Sequence, residues 1–179
     1  MTALKDKQLM LRVAEGDLDA FNELVCRHQH SAWGIAYRFL GDPVEAEDIV
    51  QEAFIRILDA SSRYKPSAAF STYLHGVVIR LCIDNSRKKR PILTNDLPEM
   101  VDPFSDPTTI LDQKDRDAQI RKALDTLPSR QRVVVILKYY EGLNYNELAQ
   151  TMETTVKAVE RLLNRARKSL QKRLSHMDR

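Results

Sequence analysis

An all-α fold made of two small helical domains is what this sequence predicts, and three observations predict it. Apolar residues recur with a period near 3.6 through most of the 179 residues, and no stretch alternates with period two for long enough to make a strand. Only 5 Gly and 7 Pro interrupt the chain. Four of those prolines fall between Pro91 and Pro107, so the helical pattern breaks once, near the middle.

The hydrophobic fraction of 43% is ample for a buried core. No uninterrupted apolar run approaches the roughly 20 residues needed to cross a bilayer, and the opening MTALKDKQLML lacks the apolar centre of a signal peptide. A cytoplasmic protein without membrane insertion is expected. Cys26 and Cys82 sit inside apolar helical patterns with no CxxC pair, and both are expected to be reduced core residues. His28 and His30 lie two apart, on different faces of a helix, and read as solvated. No metal site and no cofactor are expected.

The first helix is expected over Lys5 to Ala14. A long second one begins after Gly16, turns Leu18, Phe21, Leu24, Val25, Trp33, Ile35, Ala36 and Phe39 inward, and stops at Gly41. Asp42-Pro43-Val44-Glu45 reads as a helix start: Asp as N-cap, Pro at the first helical position, Glu at the third. That third helix runs to about Ala60, and a fourth spans about Phe70 to Ser86, ahead of the basic run Arg87-Lys88-Lys89-Arg90. Together they make a four-helix bundle. Residues 91–112 carry four prolines and several carboxylates with little periodicity, and read as a flexible linker between domains at 1–90 and 113–179.

From Ala118 onward there are 13 Lys and Arg against 6 Asp and Glu, an asymmetry hidden by the overall charge of +3. Such a basic domain fits a polyanionic partner, although a solvated helical surface carries charge too. Pro128 opens a helix through Val133-Val134-Val135-Ile136-Leu137. Asn144, with Glu147 at its third helical position, caps a short helix to Met152, Glu153-Thr154-Thr155 forms the joint, and a longer basic helix that Thr155 can cap continues from Val156 to about Leu174. Short helix, three-residue joint and longer basic helix are the parts of a helix-turn-helix. Val156, Val159, Leu163, Ala166 and Leu170 form its inward stripe, leaving Lys157, Arg161, Asn164, Arg165 and Lys168 outside, where their donors suit base edges and phosphates.

In the N-terminal half, the third helix buries Ala46, Ile49, Val50, Ala53 and Ile57 and leaves Asp48, Gln51 and Glu52 as an acidic face. Taken alone, that is the face of any solvated helix. Tyr64-Lys65-Pro66-Ser67-Ala68, then Phe70-Ser71-Thr72-Tyr73, set aromatics beside cations, as a single-stranded nucleic acid requires. Phe70 and Tyr73 also fit core positions, and for Phe70 the core is the better fit.

Taken in order, these segments resemble the extracytoplasmic-function (ECF) sigma factors of the sigma-70 family across nearly the whole chain. The stretch from Asp42 to Phe54 looks like the family's core-polymerase-binding segment. Phe70-Ser71-Thr72-Tyr73-Leu74, with Asp84 and Arg87, looks like its minus-ten helix, and Leu127-Pro128, Glu147-Leu148-Ala149 and Val156 to Arg167 look like its minus-thirty-five domain. The resemblance implies a sigma2-like bundle and a sigma4-like helix-turn-helix domain. It implies a non-catalytic subunit that directs core RNA polymerase to promoters and assists DNA opening. Asp48, Gln51, Glu52 and Phe54 would bind core polymerase, at the clamp helices of its largest subunit, and the flap of the second-largest subunit is a further implied partner. Tyr64, Lys65, Ser67, Phe70, Tyr73, Arg80, Arg87 and Lys88 would meet the opened minus-ten strand, and Lys157, Arg161, Asn164, Arg165 and Lys168 the minus-thirty-five duplex. Promoter DNA and an anti-sigma factor complete the implied partners.

Five positions depart from the family's common pattern: Tyr73 replaces a usual Trp, His75-Gly76 an aromatic-basic pair, Arg80 a frequent Asn, and Glu160 a frequent cation. Two other classes compete on the residues alone. A stand-alone helix-turn-helix regulator would make the Asp48 face incidental. An enzyme acting on nucleic acid would need a phosphate loop, a metal cluster or an activated nucleophile, and none is legible.

Overall fold

The computed structural model describes residues 5–64, 68–88 and 120–177, and all regular structure among them is helical. In chain order these are α1 (Asp6–Ala14), α2 (Leu18–Leu40), α3 (Pro43–Asp59), a 3-10 turn (Ser61–Arg63), α4 (Phe70–Lys88), a helical segment at 120–125, α5 (Ser129–Tyr139), α6 (Tyr145–Thr151) and α7 (Val156–Met177). The segment expected as a linker lies outside the described residues.

Local chemistry sets the boundaries. Asp17 caps α2 by accepting from the Ala20 N–H at 2.9 Å, and the Gly41 N–H closes that helix onto the Tyr37 carbonyl at 2.9 Å with φ +86°. That left-handed backbone strains any residue with a Cβ, and glycine has none. Asp42 Oδ1 accepts from the N–H groups of Val44 and Glu45 at 2.9 and 3.0 Å, with Pro43 at the first helical position. Asn144 and Glu147 form the reciprocal capping box of α6, and Thr155 Oγ1 accepts from the Ala158 N–H at the start of α7.

The first four helices bundle around α2, which packs against α1, α3 and α4. Leu24, Ile35, Ile57, Leu74 and Val78 are fully enclosed there. Three expectations for α2 need correction. Leu18 is 65% exposed, because it opens the helix with no element across from it. Cys26 is exposed as well, and only Cys82 is buried. His28 is not a solvated side chain: Nε2 meets Asp6 at 2.8 Å and the ring lies 5.1 Å from Phe70, while Arg27 also donates to Asp6, so that one carboxylate ties α1 to α2.

The two halves also pack on one another through a single continuous core. Val133 and Ile136 of α5 close against Ile35 and Phe39 of α2 and Ile79 and Cys82 of α4, with no room left for a water. Around this contact, arginines from the C-terminal half reach carbonyls at the C-terminal end of α2. Arg121 donates to the Gly41 carbonyl at 3.0 Å and lies over the Tyr37 ring, and Arg132 donates to the Phe39 carbonyl at 2.8 Å and lies over the Phe39 ring. The last carbonyls of a helix lack partners within it and carry the negative end of its dipole, so cations are the natural groups to satisfy them.

Candidate nucleic-acid interface

On α7, Val159, Leu163 and Ala166 are buried against α5 and α6, and Val156 and Leu170 are half-buried beside them. That seating leaves Lys157, Arg161, Asn164, Arg165 and Lys168 all exposed on the outward side, as expected. Arg167 turns the other way, donating through Nε and Nη2 to Tyr139 Oη at 3.1 and 2.9 Å, which fixes α7 on α5. The result is an outward face of four cations and one amide, with the exposed carboxylate of Glu160 one turn from Lys157 and Asn164, carried on a helix whose entry is set by the Asn144 and Thr155 caps. Such a face can pair with guanine edges, adenine and phosphates in a major groove.

On α3, Asp48 and Gln51 are exposed and Glu52 is half-exposed with Arg56 at 2.6 Å. Phe54, grouped with them from the sequence, is only 5% exposed and packs edge-on against Phe21 at 6.2 Å. It cannot touch a partner from that position. It holds α3 on α2.

The aromatic pair of the N-terminal half does come together: Tyr64 and Tyr73 have ring centroids 5.5 Å apart, and burial with the neighbouring Tyr73 pushes the Tyr64 hydroxyl above its ordinary pKa. Arg80, two turns further along α4, is 59% exposed and ion-pairs with Glu153. Arg87 is exposed beyond it. Phe70 is a core residue, 3% exposed beneath His28, and offers no stacking face. Lys65, Ser67 and the Lys88 side chain lie outside the described residues. A cleft of about 510 Å³ runs between Tyr64, Tyr73 and Arg80 on one wall and Gln150, Thr151 and Glu153 on the other. Arg63 also lines it, and the sequence does not single it out, because an exposed arginine in a 3-10 turn leaves no periodic mark.

Beneath α4 lies a polar cluster that sequence reasoning misses. Ser31 of α2 hydrogen-bonds His75 Nε2 at 3.1 Å and donates to Glu141 at 2.6 Å. Burial holds the His75 pKa below its usual value, Glu141 opposes that shift and His28 adds to it. The arrangement resembles a hydrolytic triad only in composition: the histidine is 5% exposed, and its Nδ1 is buried without a partner among the described residues. No group of three metal-ligating side chains occurs among the described residues, and no described helix is long and apolar enough to cross a membrane.

Residues 24–92 match sigma-70 region 2, and residues 117–170 match sigma-70 region 4. The RNA polymerase sigma-H factor of Pseudomonas aeruginosa is 30% identical over 97% of this chain and 96% of its own length. The chain belongs to the sigma-70 family. Within it, this sigma factor groups with the ECF type, being 31% identical to ECF sigma factor SigW of Bacillus subtilis over 94% of the chain and 96% of that protein. Among solved structures, CnrH in complex with the cytosolic domain of CnrY shares the fold, with a TM-score of 0.74, 24% identity and coverage of 96% of this chain and 97% of that one. The Bartonella quintana sigma factor RpoE, solved with the anti-sigma factor NepR, aligns with a TM-score of 0.68 at 18% identity, over 87% of this sigma factor and 96% of that chain.

Proposed function

We propose that this sigma factor binds core RNA polymerase through the Asp48–Gln51–Glu52 face of α3, reads the upstream promoter duplex with α7 and receives the opened minus-ten strand along the aromatic and basic side of α4. It would act as a cytoplasmic, non-catalytic subunit: the polymerase performs the chemistry. The proposed units are 1–90 for core binding and strand capture, 91–112 as tether and 113–179 for duplex reading. An anti-sigma factor would hold it inactive; the Bartonella quintana sigma factor RpoE, which shares the fold, was solved in complex with the anti-sigma factor NepR.

The observation that carries this reading is the seating of α7. Its buried stripe fixes five polar side chains outward on one face, Lys157, Arg161, Asn164, Arg165 and Lys168, with the spacing a major groove admits. Phosphate contacts would set the register, and Asn and Arg would supply the sequence reading. On α4, Tyr64 and Tyr73 offer stacking surfaces and Arg80 and Arg87 track the backbone charge; such stacking contributes about 1–3 kcal/mol per base.

The test is transcription by purified core polymerase, with and without this sigma factor, on pooled genomic fragments of its host, with transcript starts sequenced. New starts that share paired upstream motifs are the expected result. Asp48→Ala with Gln51→Ala should abolish those starts and binding to core while the helical content stays unchanged. Undiminished transcription by that variant would sink the assignment of α3.

A further inference from the structure

The departures on α4 from the family pattern cluster where the helix meets the C-terminal half. Gly76 lies so close to α6 that a Cβ there would stand 3.3 Å from the Thr151 carbonyl oxygen. Arg80 reaches Glu153 in the joint between α6 and α7, with Nη2 to Oε1 at 2.5 Å. His75 meets Ser31, which in turn donates to Glu141 just after α5. Glu153 sits at φ +48°, a left-handed conformation that few non-glycine residues adopt, at the turn that aims its carboxylate across the cleft. By contrast, Asp48 and Gln51 of α3 and the five polar residues of α7 face away from this contact and stay exposed.

We propose that the free chain masks its own strand-binding surface: the α6–α7 joint sits on α4, and the Glu153 carboxylate holds Arg80 in the place a nucleic-acid phosphate would take. A carboxylate and a phosphate oxygen make the same charge-assisted hydrogen bond to a guanidinium, so the two compete for one donor. Glu153 also sets a negative charge at the mouth of the cleft between Tyr64, Tyr73 and Arg80, repelling a backbone that would enter. The contact carries signs of a reversible one. Thr151 Oγ1 and His75 Nδ1, both buried at or beside it, have no hydrogen-bond partner among the described residues, whereas a permanent interface satisfies nearly all such groups. The α3 and α7 faces remain open, so core enzyme and duplex can engage the masked form, and parting the halves then exposes the strand site only once they are in place.

This inference rests on the proposed role of α4, and the experiment separates the two. Binding of a fluorescein-labelled, randomised 12-nucleotide single strand to the free full chain is measured by anisotropy in wild type, Glu153→Gln, Glu15→Gln, Gly76→Val, and Glu153→Gln combined with Arg80→Ala. Scattering of X-rays in solution reports whether the halves have parted. Weak binding by wild type is expected, with a gain of at least fivefold in Glu153→Gln that disappears when Arg80→Ala is added and does not occur in Glu15→Gln, an exposed position away from the cleft where the same change of net charge is made. No gain in Glu153→Gln overturns the proposal, and Gly76→Val then shows which part failed. An expanded chain that now binds the strand means that bulk, not Glu153, covers α4. An expanded chain that still does not bind means that α4 is not the strand surface at all.

Discussion

Cys82 and Cys26 show how far single side chains depend on their neighbours. Burial pushes the Cys82 thiol up to about 12, whereas Cys26 is exposed. Because the thiolate is the nucleophile, iodoacetamide at pH 8 should modify one thiol in the folded chain and two after unfolding, as counted by mass spectrometry. The different fate of Cys26 has a simple geometric cause: at about 100° per residue it lies about 200° around α2 from Leu24, away from the buried stripe. His75 is less legible in the sequence, since its partners Ser31 and Glu141 are distant along the chain. Its pKa is depressed chiefly by burial, so the unfolded chain takes up a proton there before the folded chain does. The stability it contributes is therefore complete above its unfolded value, about 6.5, and is lost as pH falls from there through the folded value. Thermal melts at pH 7.5 and 5.5 should show a smaller acid-induced drop in His75→Gln than in wild type, and equal drops would contradict the role given to burial.

At the scale of elements, the parts set by nearest neighbours are readable from the sequence. Asp42, Asn144 and Thr155 are expected as caps from their residue type and from the helical pattern beginning just after each, and each accepts the backbone N–H groups expected of it. Periodicity places the inward stripe of α7 and hence its outward cations. Analogy misleads for Phe54 and Phe70, which it assigns to partner-facing surfaces although both occupy buried positions of their helices. An aromatic on an amphipathic helix fits either role, and only the neighbours Phe21 and His28 decide. The cap of α6 matters beyond its own seven residues, because α6 and its joint aim α7. Asn144→Ala removes the acceptor for the Asn146 and Glu147 N–H groups and should cost about 1 kcal/mol. Chemical denaturation should show that loss as a lower midpoint with an unchanged slope; a loss of less than a few tenths would mean that packing alone fixes α6.

For the whole molecule, the sequence indicates two helical halves but not that they share a core. The contact joins Ile35 and Phe39 to Val133 and Ile136, about a hundred residues apart, and any helix stripe offers such residues to many partners. Specificity comes from Arg121 and Arg132, whose reach to the Gly41 and Phe39 carbonyls depends on where α2 ends. Arg121 is the cleaner probe, because its hydrogen bond to Gly41 and its position over Tyr37 both cross between the halves. A charged hydrogen bond of this kind contributes about 1.5–3 kcal/mol, and in a domain of this size each kcal/mol moves the melting temperature by about 2–4 °C. Arg121→Ala should lower the melting temperature in calorimetry by several degrees within one transition, because the continuous core couples the unfolding of the two halves. If instead a second transition separates while α1 to α4 melt as before, the halves are thermodynamically independent, and the masking of α4 must come from the Glu153 contact without help from the shared core.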